Sequence, residues 1–159
     1  MRRRTGRRSL LLLASSSLAA LMIGSGAPPA LAGTCAIIPA VNQSSVSNSG
    51  SINCIDFSGI TVTGNVTNTG TGVITGALGG GIPSRTGITI KNSSIGGTIS
   101  NAGTITAGVL GLGILLQRNT ISGDVVNSGS ISAGDIGIVV GVTNFVGGIS
   151  NSEIGRAHV

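Results

Sequence analysis

The 159-residue chain has no tryptophan and no tyrosine, two phenylalanines and one histidine, and only 8% of its residues are charged. Aromatic side chains dominate the buried area of most cores, so an ordinary globular core is hard to build here. Scarce charge also excludes a disordered chain, which is rich in charge and poor in β-branched residues. This chain is instead 40% hydrophobic, with a mean hydropathy of +0.51. The length suits one domain at most. What is abundant is glycine, 28 residues of it, among small polar and β-branched residues. That composition suits short strands joined by tight turns.

Reactive side chains are equally sparse. The lone His158 falls in the last seven residues. Without it a Ser-His-Asp triad cannot be assembled, and a His/Cys zinc site has too few ligands. A calcium-binding β-roll would need a recurring aspartate, which is missing. Asp124 and Asp135 are the acids that could meet as a sugar-hydrolase pair; the plainer reading makes them surface carboxylates. No catalytic, cofactor-binding or metal-ligating residue is assigned, and no cofactor is expected.

Positive charge is concentrated at the start. Arg2, Arg3, Arg4, Arg7 and Arg8 precede an apolar run from Leu10 to Ile23, followed by small residues ending in Ala30-Leu31-Ala32. These are the three parts of a secretory signal peptide, with cleavage expected after Ala32. The apolar run is shorter than the roughly 20 residues that span a bilayer. Arg7-Arg8-Ser9-Leu10-Leu11 is also similar to a twin-arginine signal, so the general and twin-arginine routes both stay open. Thr34 separates Gly33 from Cys35, which argues against a lipoprotein box. Beyond the leader, Arg85, Lys91, Arg118 and Arg156 face Asp56, Asp124, Asp135 and Glu153, and four minus four leaves zero. The pI near 11.2 belongs to the leader, so it is no sign of a nucleic-acid partner.

Cys35 and Cys54 are the only cysteines. An even count in an exported chain supports a disulfide, which would contribute about 3 kcal/mol by restricting the unfolded chain. Two unpaired small hydrophobes are the alternative.

Internal repetition is the strongest signal. The phrase G-x-[IV]-x-N-x-G recurs with its asparagine at Asn48, Asn68, Asn101, Asn127 and Asn151, spaced by 20, 33, 26 and 24 residues. Its clearest copies are GNVTNTG, GTISNAG and GDVVNSG, and it usually continues into another apolar residue, as at Ile52, Ile105 and Ile131. A second phrase follows as GITV, GITI, GILL and GIVV, starting at Gly59, Gly87, Gly113 and Gly137. A third approaches the next glycine turn as Ile95-Gly96-Gly97, Ile121-Ser122-Gly123 and Val146-Gly147-Gly148. The long interval holds Gly79 to Arg85, which reads as a loop inserted into one turn, with Arg85 exposed.

Each phrase alternates apolar and polar residues, the mark of a strand with one buried face. No strand is long enough to stand alone, but stacked copies pair with their counterparts about 4.8 Å away. The expected fold is all-β, a parallel β-helix (β-solenoid) with three strands and roughly 24 residues per coil, in about four to five rungs. The asparagines are expected at corners, in the left-handed region, bonded along a ladder. The glycines are expected to supply turn conformations.

The leader, the asparagine repeat and the G-I-x-V phrases together resemble autotransporter passenger regions over most of residues 33–152. That resemblance implies export from a Gram-negative cell, display at its surface or outer membrane, and contacts with host-cell or surface glycans or proteins. It also implies membrane anchoring through a C-terminal barrel, for which this sequence has no segment. Such passengers are poor in cysteine, so Cys35 and Cys54 depart from the pattern. Residues 153–159, Glu-Ile-Gly-Arg-Ala-His-Val, break the repeat and match the translation of a common sequencing adapter, so they read as a non-native tail. The function expected is that of an N-terminal fragment of a surface-displayed passenger, structural or adhesive and not enzymatic. The alternatives are a short polysaccharide-acting β-helix enzyme, or a complete small secreted solenoid that self-associates through its open ends.

Overall fold

The computed structural model describes residues 35–37, 39–76 and 85–152. The expected leader (1–32) with its cleavage after Ala32, nearly all of the glycine-rich insertion and the tail at 153–159 lie outside the described residues.

The first phrase forms β1 (Val46–Asn48), β5 (Val66–Asn68), β9 (Ile99–Asn101), β13 (Val125–Asn127) and β17 (Ile149–Asn151). They stack in that order as one parallel sheet, the asparagine sheet. Its register is unbroken: Asn48 pairs with Asn68, Asn68 with Asn101, Asn101 with Asn127, and Asn127 with Asn151. A second sheet holds β2 (Ser51–Ile52), β6 (Val73–Ile74), β10 (Thr104–Thr106) and β14 (Ser130–Ser132). A third holds β3 (Ile55–Ser58), β7 (Ile88–Lys91), β11 (Ile114–Gln117) and β15 (Ile138–Gly141). A fourth holds β4 (Thr61–Val62), β8 (Ser94–Ile95), β12 (Thr120–Ile121) and β16 (Asn144–Phe145). The phrases from Gly87, Gly113 and Gly137 lie in the third sheet. GITV from Gly59, aligned with them in the sequence, falls in the fourth, because Ile55 and not Ile60 is the register partner of Ile88. Every pairing between named strands is parallel and joins one coil to the next, so the described chain is a parallel β-solenoid.

Each coil therefore carries four short strands where three were expected. The first phrase is split: the chain bends just after the asparagine, so the following apolar residue lies in a strand of the second sheet. At the first such bend Asn48 makes the turn itself, its Nδ2 donating to the Gly50 carbonyl (3.0 Å) and its Oδ1 accepting from the Gly50 amide (3.2 Å).

Alternation decides what faces inward. Val66, Ile99 and Val125 form one buried column; Ile74, Ile105 and Ile131 another. The third sheet contributes Ile55, Ile88 and Ile114 beside Phe57, Ile90 and Leu116, and the fourth Val62, Ile95 and Ile121. Like stacks on like, so each side chain fills the space its neighbour leaves. Burial of one such side chain is worth about 1.5–3 kcal/mol, which makes these columns the main source of stability. Variation in coil length falls mostly between the second and third sheets: residues 53–54 make that connection in one coil, 107–113 and 133–137 in others.

The glycines have a different main role from the one expected. Positive φ occurs at Gly59 (72°) and Gly76 (57°) among the described glycines. Elsewhere the need is for space: a Cβ on Gly103 would overlap the carbonyl oxygens of Gly72 and Thr69, and one on Gly129 that of Gly103. These atoms are backbone, and coils held at strand spacing cannot move apart to relieve them.

Candidate functional site

Of the residues singled out in the sequence, the five asparagines form the most extended array. Each closes its strand; Asn48, Asn68, Asn101 and Asn127 are buried, Asn68 and Asn101 fully, and Asn151 is exposed. Their amides run head to tail along the solenoid. Asn48 Nδ2 donates to Asn68 Oδ1 (2.8 Å), Asn68 to Asn101 (2.7 Å), Asn101 to Asn127 (2.7 Å) and Asn127 to Asn151 (2.7 Å). The second amide hydrogen is used too, as Asn101 Nδ2 also reaches the carbonyls of Gly103 and Ser130, each at 3.3 Å. None of the five lies in the left-handed region that the sequence suggested. A strand conformation aligns the amides with the coil axis, and a left-handed corner would turn them away from it. The left-handed non-glycine residues are Asn92 (φ 49°), Leu110 (60°) and Arg118 (54°), among the described residues.

A shorter internal network was missed by sequence reasoning. The buried Asn119 accepts from the Ser93 amide with Oδ1 (3.0 Å) and donates to the Ile90 carbonyl with Nδ2 (2.8 Å). Ser93 Oγ in turn donates to the Lys91 carbonyl (2.8 Å) and accepts from the Ile60 amide (3.3 Å). No periodic residue marks it, because Ile60, Ser93 and Asn119 differ at one register position.

Cys35 and Cys54 are joined by a disulfide with a Cα–Cα distance of 4.6 Å. It tethers the segment that begins the described chain, where Ile37 bridges Ile55 and Gln43 bridges Val62. Asp124 and Asp135 stand at different corners of one coil, with β13 and β14 between them. Asp124 is engaged structurally, its Oδ1 accepting the Gly148 amide (2.8 Å) as Asn65 Oδ1 accepts the Thr98 amide (2.9 Å). Arg85 is half-buried, not exposed as expected, and donates to the Val109 carbonyl (3.4 Å). Among the described residues no group of three His, Cys, Asp or Glu side chains could hold a metal ion.

A polar surface feature lies at the corner between the third and fourth sheets. Lys91-Asn92 on one coil and Gln117-Arg118 on the next are register equivalents. Aligning GITIKN with GILLQR could have found this pair of rows. Asn92 and Arg118 line two adjoining surface grooves, of about 490 Å³ and 270 Å³. The outward residues of the fourth sheet, Thr61, Ser94, Thr120 and Asn144, continue from it as an exposed polar row. On the neighbouring outer face, burial pushes the Asp56 carboxyl above its ordinary value, partly opposed by the Lys91 ammonium.

Comparison with protein-family models, with characterised proteins and with solved structures finds no match to this chain.

Proposed function

We propose that this chain is the N-terminal part of an exported, surface-displayed passenger of the autotransporter type, with a structural or adhesive role and no catalysis. The observation that carries this reading is the unbroken asparagine register from β1 to β17. A chain that spends its sequence on one repeated coil builds a rod, and a rod presents ordered surface at a distance from its base. The disulfide supports export, because such bonds persist in oxidising compartments. Cleavage after Ala32 and outer-membrane anchoring through a C-terminal barrel belong to this proposal.

Expression of the full chain in a Gram-negative host, followed by fractionation and N-terminal sequencing, tests the export reading. The expected product is periplasmic, begins at Gly33 and has no free thiol. An unprocessed cytoplasmic chain with two reactive thiols would overturn it.

A further inference from the structure

The geometry points to the corner groove at Lys91, Asn92, Gln117 and Arg118 as a binding site for an acidic saccharide, one carrying sulfate or carboxylate groups. This deepens the adhesive reading and rests on it for where the ligand is met.

Three observations carry the inference. First, two cations are set on neighbouring coils at one corner: Gln117 is the register partner of Lys91, and Arg118 follows it. Adjacent coils are about 4.8 Å apart, so the two charges act on the same ligand segment. Among the described residues no ion pair or hydrogen bond holds either side chain. Asp124 and Asp135 lie at other corners. The half-buried Asp56 is the carboxylate that faces Lys91.

Second, Arg118 occupies a backbone position that disfavours it. Gly59 (φ 72°), Asn92 (49°) and Arg118 (54°) hold the same corner on successive coils. Glycine adopts this conformation freely and asparagine tolerates it. Arginine has no local reason to be there, and backbone strain kept where glycine would relieve it points to a role for the side chain. The left-handed turn ends the strand of the third sheet and presents the guanidinium at the groove, where it can take a sulfate or carboxylate with two parallel hydrogen bonds.

Third, the surroundings suit sugar hydroxyls. The exposed amides of Asn92 and Gln117 and the row Thr61, Ser94 and Thr120 offer both donors and acceptors. No aromatic ring lines either groove. Single-stranded nucleic acid is bound largely by stacking its bases on such rings, so the saccharide is the favoured ligand.

Lys91 is the only lysine in the sequence, which makes a local test available. The full chain is treated with limiting acetylating reagent, alone and with a heparin hexasaccharide, a hyaluronan hexasaccharide, neutral dextran or a single-stranded oligonucleotide, and modification of Lys91 is read by mass spectrometry. The basic leader adds the same background to every variant and does not contribute to the Lys91 signal. At least one acidic saccharide is expected to protect Lys91 several-fold, with dextran and the oligonucleotide giving little protection. Arg118→Gly is expected to weaken saccharide binding about tenfold, the loss of one charge-assisted contact. The same variant should raise Tm by a few degrees as the strain is relieved. Arg85→Ala, which removes equal charge elsewhere, should leave Lys91 protection unchanged. Absence of protection by either acidic saccharide, equal protection in Arg118→Gly, or protection by the oligonucleotide as strong as by the saccharide would overturn the assignment. Because purified chain is used, failure here is separate from failure of export.

Discussion

Replacing Asn101 by alanine is expected to destabilise the solenoid by about 3 kcal/mol, since two buried amide groups lose partners at roughly 1–3 kcal/mol each. Asn101 sits mid-ladder, accepting from Asn68 and donating to Asn127. Its truncation leaves Asn127 Oδ1 without that donor inside the core and opens a void beside it. Asn68 keeps longer bonds to the carbonyls of Gly72 (3.2 Å) and Thr104 (3.4 Å), which limits the loss on that side. Asn48→Ala, at the ladder's end, should cost about 1 kcal/mol, because one buried bond to Asn68 is lost while the groups it bonds on the exposed Gly50 can turn to water. Chemical denaturation of the three proteins gives the comparison, and equal midpoints for Asn101→Ala and the parent would remove the ladder from the account.

Asn101→Asp adds a pH test at the same site. A carboxylate there can accept from Asn68 but faces the oxygens of Asn127, Gly103 and Ser130 with nothing to donate. Burial and those oxygens raise its folded pKa above the unfolded value. Its favourable contribution is then present at acidic pH, where the protonated form donates again, and is lost as pH rises through the folded pKa. The variant should approach parental stability in acid and fall away toward neutral pH.

Removing the disulfide is the second large effect. A crosslink spanning 19 residues is worth about 3 kcal/mol in the chain-entropy treatment. Cys54 is fully buried, so a Cys35→Ala/Cys54→Ala variant is preferred to serine, which would leave a hydroxyl in the core. The loss should begin locally. The first segment is held by few backbone bonds, Asp56 N to Ile37 O (3.0 Å) and Gln43 N to Thr61 O (2.9 Å) among them. Residues 35–45 should gain hydrogen exchange first while β9 and β13 stay protected, as expected when coils interact mainly with neighbours. Uniform loss of protection throughout would show instead that the bridge supports the whole stack.

Particular residues show why much of this fold is legible in the sequence and why some is not. The asparagine spacing gives the strand register directly, because a parallel solenoid must place equivalent residues on one another or lose every buried column. The number of strands per coil is not legible in the same way. Asn48 folds its own side chain back onto Gly50, and that turn looks like continuous alternation until the bonds are seen. Glycine misleads for a similar reason: Gly103 is required by the carbonyls of another coil, and no local pattern carries that information. Asn119 and Ser93 form a network from unlike residues, so repetition cannot reveal it. The groove lies between these extremes. Its residues align within the G-I phrases, but the left-handed backbone at Arg118 appears only in three dimensions.

The central claim is that five sequence phrases stack as successive parallel strands in one register. Ser47 and Ser150 face outward on the first and last strands of the asparagine sheet, linked through Thr67, Ser100 and Val126. Four steps of about 4.8 Å put them about 19 Å apart. Spin labels on Ser47→Cys and Ser150→Cys, with Cys35 and Cys54 kept in their disulfide, allow that separation to be measured by pulsed EPR. A distribution centred about 19 Å, widened only by the label tethers, is the predicted result. A broad distribution, or one centred far beyond that distance, would contradict the stacked solenoid.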